Sequence, residues 1–432
     1  MEAVAIGVLT LVFVVLLLAG VPIAFAIGSA SAVTLLLTVS PLPALTTVAQ
    51  RMATGIDSFA LVAIPFFILS GELMNRGGIA RRLVDFASVL VGWLPGSLAY
   101  VNIVGCMLFG SISGSAVAAA AAIGGFMHPL MQREGYGRHF GAAVNITSST
   151  TGLIIPPSNI LIVFSLASGG VSIAALFLAG YVPGLLLGLG LMATAGAMAL
   201  RRGYPIGRRF GAAEGVRRFF DAVPSLLLLV VIMGGIVAGV FTATEASAVA
   251  VVYTFVLSVV VYREVRVAEL PDILLRTATT TAVVMLLVGT SMAMSWVMAF
   301  ENIPQRVAAG LLTLSRDPVV VLLLINVLLL AVGTFMDMTP AVLVFTPIFL
   351  PAMVALGMDP VHFGVVMVVN LCIGLCTPPV GSVLFVGCAV AGSSITEVVR
   401  PLVPLYLSMI VVLVLVILFP QLSLWLPRAF GF

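Results

Sequence analysis

The sequence predicts an all-α polytopic membrane protein made of two inverted-topology repeats, each holding a re-entrant hairpin and a broken helix. Three observations predict it. Of 432 residues, 62% are hydrophobic and only 8% charged, and apolar runs of roughly 18 to 28 residues recur, each enough to cross about 30 Å of hydrocarbon. One helix-breaking pattern occurs twice, at a steady offset of 221 to 223 residues: Gly110 falls on Gly333, Pro129 on Pro351, Pro156-Pro157 on Pro378-Pro379, and Val182-Pro183 on Val403-Pro404. The basic residues are all Arg, and most gather in four short loops: Arg76–Arg82, Arg133–Arg138, six from Arg201 to Arg218, and Arg263–Arg276. Such loops mark the cytoplasmic face, and their placement gives the halves opposite directions.

The first repeat is expected over residues 1–201. Ala3–Ala19 reads as a span, and Met1-Glu2-Ala3 lacks the basic start of a cleaved signal, so it is expected to be retained. Gly20-Val21-Pro22 turns into a second span ending near Val39, and a polar loop follows through Pro41, Pro43, Gln50 and Arg51. Ser58–Met74 is a third span. In Ala80–Leu94, Arg81, Arg82 and Asp85 interleave with Leu83, Val84, Phe86 and Val89, the pattern of a helix lying in the interface. Residues 97–127 are apolar on both sides of Gly110–Ser115, and both ends must be cytoplasmic, which calls for a re-entrant hairpin; a small crossing-helix pair would satisfy the same charges. Residues 140–168 form a helix broken at Thr150–Ser158, and Ser172–Leu200 returns to the Arg-rich cytoplasmic loop at 202–220.

The second repeat, 221–432, opens with the pair Ala222–Phe241 and Glu245–Tyr262, then crosses outward over Thr277–Phe300. Ile303–Ser315 reads as an outer interfacial helix. A second hairpin at 319–351 has Gly333–Pro340 as its tip, a second broken helix at 362–388 is interrupted at Thr377-Pro378-Pro379, and Leu402–Trp425 is the last span. The tally is about ten crossings and two hairpins. Paired breaks at matching positions of two halves point to a transporter's binding site, because freed backbone groups inside a bilayer are tolerated only where they line a cavity or hold an ion.

The sequence excludes several chemistries. An ATP-binding P-loop requires a Lys, and the chain has none. Neither a nucleophile elbow nor a dinucleotide fingerprint is present, and no fold for nucleic acid remains outside the membrane. Cys372 and Cys376 stand four apart, but they read as small buried side chains. Ser, Thr and Asn collect at the breaks instead: Ser111, Ser113 and Ser115; Asn145 and Thr147–Thr151; Ser158 and Asn159; Thr334 and Thr339; Asn370 and Thr377. Uncharged oxygens suit Na⁺, whereas Ca²⁺ sites are built with carboxylates. Half-helix N-termini suit a substrate carboxylate. Each such residue also has a packing or back-bonding explanation; the pairing at one offset favours the functional one. Asp337 is the acidic candidate, with capping of the tip as its alternative, while Glu72 and Glu245 at span ends read as structural. With no acid at the first tip, Na⁺ coupling is favoured over H⁺.

These stretches resemble the DctM-like large membrane subunit of tripartite ATP-independent periplasmic (TRAP) transporters: Ile64–Met74 (IPFFILSGELM), Gly110–Ala118 (GSISGSAVA), Ile154–Asn159 (IIPPSN), Thr244–Ala250 (TEASAVA), Phe345–Pro351 (FTPIFLP) and Asn370–Val380 (NLCIGLCTPPV). The resemblance implies an elevator-type, Na⁺-driven importer of an organic acid in a bacterial or archaeal inner membrane. It implies two partners, a small four-helix membrane subunit (DctQ-like) and a periplasmic substrate-binding protein (DctP-like). It implies at least two Na⁺ ions. One site carries onto Gly333, Gly374, Thr377 and Val380, with Thr339 beside it at the tip; the other onto Ser111 or Ser113 with Gly152, Ile155 and Ser158. Ala119–Ala122 departs from the family pattern after the first tip.

The expected function is therefore the permease subunit of a Na⁺-driven, binding-protein-dependent carboxylate importer, not an enzyme. The anionic substrate is expected between the tips, near Ser115, Asn145, Thr150, Asp337 and Asn370. The alternatives are a stand-alone Na⁺-coupled di- or tricarboxylate carrier and a structural membrane subunit without ion sites of its own.

Overall fold

The computed structural model describes residues 2–207, 210–378 and 380–432. Of the residues singled out above, Met1, Arg208, Arg209 and Pro379 lie outside the described residues. The described secondary structure is helical apart from one isolated bridge, Pro95 to Ile206. In order the helices are α1 (Glu2–Leu18), α2 (Ile23–Leu35), α3 (Pro41–Ile56), α4 (Ala63–Arg76), α5 (Ile79–Val91), α6 (Ser97–Ser113) and α7 (Ala116–Arg133). There follow α8 (Arg138–Ser149), α9 (Asn159–Ala167), α10 (Ile173–Arg201), α11 (Ala212–Val237), α12 (Ala243–Phe255), α13 (Leu270–Phe300) and α14 (Ile303–Leu314). The chain ends with α15 (Pro318–Gly333), α16 (Met338–Ala355), α17 (Pro360–Gly374), α18 (Ser382–Ala391), α19 (Ile395–Leu418) and α20 (Gln421–Ala429).

Seven helical stretches among the described residues are individually long and apolar enough to cross a membrane; α14 and α15, bent by 119°, would make an eighth. The other expected crossings fall on shorter apolar helices, including α1, α2, α17 and α18.

Three boundaries differ from the sequence reading. The polar loop at Pro41–Arg51 is the helix α3: Pro41 stands at its first turn, where the missing N–H costs nothing, and Ala44 and Val48 bury one face while Gln50 and Arg51 stay exposed. The Arg-rich loop at 202–220 is shorter, because α11 starts at Ala212 and carries Arg217 and Arg218 on its first turns. The last span is not continuous to Trp425: α19 runs from Ile395 and stops before Pro420, and α20 packs back on α10 and α17.

Helices α5–α10 and α14–α19 repeat one order, each starting 221 to 224 residues after its counterpart (Ile79 and Ile303, Ser97 and Pro318, Ala116 and Met338, Arg138 and Pro360, Asn159 and Ser382, Ile173 and Ile395). Their contacts are exchanged between halves. α7 packs on α18 as α16 packs on α9, and α8 packs on α19 as α17 packs on α10. Such exchange is the signature of a two-fold relation. Near that relation's centre, the Cys372 thiol donates to the Thr150 carbonyl at 3.4 Å, joining residues at equivalent positions. Outside this block, α1, α2, α3 and α13 pack together and α12 packs on α4.

Glycine permits the closest approaches. In the first repeat a Cβ on Gly152 would lie 2.4 Å from the Gly110 Cα, and in the second a Cβ on Gly374 would lie 2.8 Å from the Gly333 Cα. The same backbone contact is thus made twice. Gly152→Ala is expected to cost about 1–3 kcal/mol through overpacking, lowering the thermal midpoint of the purified protein. Gly125→Ala, where nothing lies within 4 Å of the added carbon, is expected to leave it unchanged.

Candidate functional site

Both hairpins turn through short breaks with local causes. α6 stops because Gly114 is left-handed (φ 62°) and closes the last turn with its N–H on the Gly110 carbonyl at 2.9 Å. Ser115 is extended and caps α7, its hydroxyl accepting the Ala118 N–H at 3.2 Å. At the second turn, Asp337 is extended and immediately precedes α16. Each broken helix is interrupted by a short stretch that contains proline. α8 ends at Ser149, a short turn covers Thr151–Leu153, and Pro156 and Pro157, joined by a cis bond, precede the extended Ser158. α17 ends at Gly374, and the chain passes through Thr377 and Pro378 to Gly381 before α18.

Each turn rests on the break of its own repeat. Besides the paired glycines, a Cβ on Gly114 would lie 2.7 Å from the Asn159 amide nitrogen, and the Gly381 N–H donates to the Thr334 carbonyl at 3.2 Å. The two assemblies face one another across a cavity of about 450 Å³. Four helix N-termini border it: Ser115–Ala118 of α7, Asn159 and Ile160 of α9, Asp337–Thr339 of α16, and Ser382 of α18. Apart from the Ala118 N–H that Ser115 caps, the first N–H groups of each helix have no partner within the helix and lie at the positive end of its dipole, an arrangement that suits an anion. The opposite wall belongs to α4 and α13, with Glu72, Asn75 and Thr280.

Among the sequence candidates, Ser113, Ser115, Asp337 and Thr339 line this cavity. Ser113 is 4% exposed, and its hydroxyl is without a hydrogen-bond partner. That is costly unless something absent from the protein chain fills the place. The Ser111 hydroxyl turns back to the Leu108 carbonyl at 2.9 Å, and the Ser158 hydroxyl to the Leu153 carbonyl. Gly152 and Ile155 belong to the same break. In the second repeat, Thr377 bonds the Ile373 carbonyl at 2.7 Å and lies 3.2 Å from the Tyr406 hydroxyl. The Leu375 and Thr377 carbonyl oxygens converge at Gly381, 2.6 and 2.9 Å from where its Cβ would stand, and Val380 is exposed.

Asn145, Thr150 and Asn370 are not among the residues that line this cavity. They are buried helix-packing groups. The Asn145 amide donates to the Ala120 carbonyl at 2.9 Å, Thr150 to the Thr147 carbonyl at 3.0 Å, and Asn370 to Asn326 Oδ1 at 2.7 Å. Cys376 donates to the Ile146 carbonyl at 3.4 Å, so the two cysteines tie the second repeat's broken helix to the first's.

Sequence reasoning missed Asn75, Thr280 and Ser382, and read Glu72 as structural. Their positions lie on α4, α13 and just after the second break, and only the three-dimensional packing brings them to the cavity. The spacing of Ser70, Gly71 and Glu72 carried a signal: Gly71 abuts the Ser113 carbonyl, 2.9 Å from where a Cβ would stand, which puts Glu72 next to the first turn. Glu301 was also missed; it is buried, accepting from Thr38 at 3.1 Å, far from the breaks in sequence. Glu245, by contrast, closes a capping box with Thr242 at the start of α12.

Comparison with known proteins agrees with this arrangement. The family model described as "Tripartite ATP-independent periplasmic transporter, DctM component" matches residues 10–422. The chain is 54% identical over 419 residues to protein YgiK of Salmonella typhimurium, covering 97% of this chain and 96% of that one. It is 38% identical to the C4-dicarboxylate TRAP transporter large permease protein DctM of Rhodobacter capsulatus, covering 97% and 98%. Among solved structures, the YdaH transporter of Alcanivorax borkumensis superposes with a TM-score of 0.63 at 15% identity, covering 98% of this chain and 99% of that one. That likeness concerns the fold.

If Asn145 and Asn370 hold helices together, Asn145→Ala and Asn370→Ala are each expected to destabilise the protein by about 1–3 kcal/mol, the cost of an unmade buried hydrogen bond. Ser382→Ala, at the cavity wall, is expected to stay within about 0.5 kcal/mol. Thermal unfolding in detergent separates the two groups.

Proposed function

The chain belongs to the DctM component family of tripartite ATP-independent periplasmic transporters, and from that premise we propose that it couples inward Na⁺ movement to import of an organic acid. It is a multi-pass permease subunit and not an enzyme. Large permeases of this family act with a small membrane subunit and a periplasmic binding protein. On the proposed reading, the binding protein hands an acid to the cavity from the periplasmic side of a bacterial inner membrane. The carboxylate of that acid is received by the four helix N-termini.

The observation that carries this reading is the convergence of both hairpin turns and both helix breaks on one cavity. Support for a first Na⁺ site comes from the orphan Ser113 hydroxyl beside the Gly110–Gly152 contact, with Ser111, Ile155 and Ser158 close by in the chain. Support for a second comes from the Leu375 and Thr377 carbonyls that converge at Gly381, with Gly333, Thr339, Gly374 and Val380 around the same break. Uncharged oxygens of this kind suit a hard monovalent cation. The reading takes both hairpins as re-entrant and the halves as inverted, so that each turn is reached from a different side. Ion binding at each break then orders the adjacent turn before the acid enters. The block formed by the hairpins and broken helices, α6–α9 and α15–α18, moves as a body against a scaffold of the outer spans, the interfacial helices α5 and α14 and the small partner subunit, an elevator motion that carries the cavity from one face to the other.

In proteoliposomes holding the complete transporter, replacing external Na⁺ by choline at fixed pH is expected to abolish uptake. Ser113→Ala and Thr377→Val are each expected to raise the half-saturating Na⁺ concentration about tenfold, equivalent to roughly 1.4 kcal/mol, in protein that still assembles. Uptake that continues at full rate in choline would remove Na⁺ coupling.

A further inference from the structure

We propose that the transported acid is a hydroxylated monocarboxylate and that Glu72 on α4 is the residue that selects it. The proposal rests on the cavity being the substrate site. Its first ground is charge. Glu72 and Asp337 both line the cavity, and among the described residues no Arg or His does; the chain has no Lys at all. The positive ends of the helices can receive one carboxylate. A second carboxylate reaching the α4 wall would meet Glu72 with no cationic side chain between them. Like charges placed together in a partly desolvated site oppose binding.

The second ground is the division of the lining. The break side offers donors, the N-termini with Ser115 and Asn159, and holds one carboxylate, Asp337, whose Oδ1 accepts from the Ser382 hydroxyl at 3.5 Å. The α4 and α13 side offers Glu72, an acceptor when ionised, with Asn75 and Thr280, which can donate or accept. A molecule bound between these walls is therefore acceptor-rich at one end and donor-rich at the other. A hydroxyl-bearing chain or ring ending in one carboxylate has that form. Glu72 is half-buried and takes part in no ion pair described in the chain. Arg76, one turn along α4, is held by Asp272 of α13 and is not among the cavity's lining residues. The unpartnered Ser113 hydroxyl on the same cavity marks an incompletely satisfied wall that awaits a ligand or ion. The remaining lining, including Ile64, Ile68, Ile160 and Val163, is apolar, so the polar groups that do face inward set the orientation.

A binding measurement on the purified full-length permease in NaCl keeps the binding protein's own selectivity out of the result. With gluconate and succinate as probes, wild-type protein is expected to bind gluconate at least tenfold more tightly. Glu72→Gln, nearly the same size, is expected to lose most of that preference, gluconate weakening and succinate improving, with the thermal midpoint unchanged. Glu72→Asp is expected to retain the preference, and Asn75→Ala to reduce it severalfold. Succinate binding as tightly as gluconate, with the ratio unmoved by Glu72→Gln, overturns the selectivity while leaving a Na⁺-dependent acid site intact. Failure of either acid to bind in Na⁺, in every variant, overturns the cavity as substrate site and the selectivity with it.

Discussion

A helix that starts inside an apolar protein leaves its first N–H groups without partners, and such groups must be answered by something. Here four helices, α7, α9, α16 and α18, start around one cavity rather than at the ends of the bundle. The arrangement is possible because each start is backed by a turn or break that packs backbone to backbone. The glycine pairs Gly110–Gly152 and Gly333–Gly374 provide that contact, and a methyl group on Gly110, Gly152 or Gly374 would force it apart. Everything chemical in the cavity follows from this constraint: the N–H groups, the dipoles and the freed carbonyls are products of broken helices held close together.

The exchange of contacts between halves explains why the breaks meet. α16 packs on α9 and α7 on α18, so each hairpin lies against the second half of the other repeat's broken helix. Each hairpin also touches its own repeat's break through the glycine pair. Each turn is therefore in contact with both repeats. Packing between α4 and α6 and between α13 and α16 brings the remaining wall to the same place.

Much of this was legible in the sequence. The repeat at constant offset located both turns and both breaks to within a few residues, because Gly, Pro and Ser interrupt apolar runs for backbone reasons that do not depend on tertiary context. What was not legible depended on packing. α3 looked like a loop because its composition is polar, yet its Ala44 and Val48 face is buried against α2 and α13. Asn145 and Asn370 sit near breaks in sequence but off this cavity in space; the Asn145 amide nitrogen donates to the Ala120 carbonyl and that of Asn370 to Asn326, while the buried Asn370 Oδ1 is left without a partner. Residue type and position along a helix do not say which face meets a cavity when the helix is buried all round. Glu72 failed in the other direction, being near a span end in sequence but at the cavity in space.

The cavity's electrostatics then bear on how coupling would work. Among the described residues, the only charged side chains on its lining are two carboxylates, and the helix ends are what oppose them. Helix dipoles are worth fractions of a kcal/mol each at exposed positions, up to about 2 kcal/mol where partly buried. A site with an arginine would hold an anion whether or not a cation was present, and would leak substrate uncoupled from the ion gradient. On the proposed reading, a site without one depends on bound cations for the balance, so that ion and acid each raise the other's affinity by the same factor. On the proposed reading, the lack of a fixed positive side chain is what makes the acid wait for Na⁺, and Glu72 and Asp337 deepen that dependence.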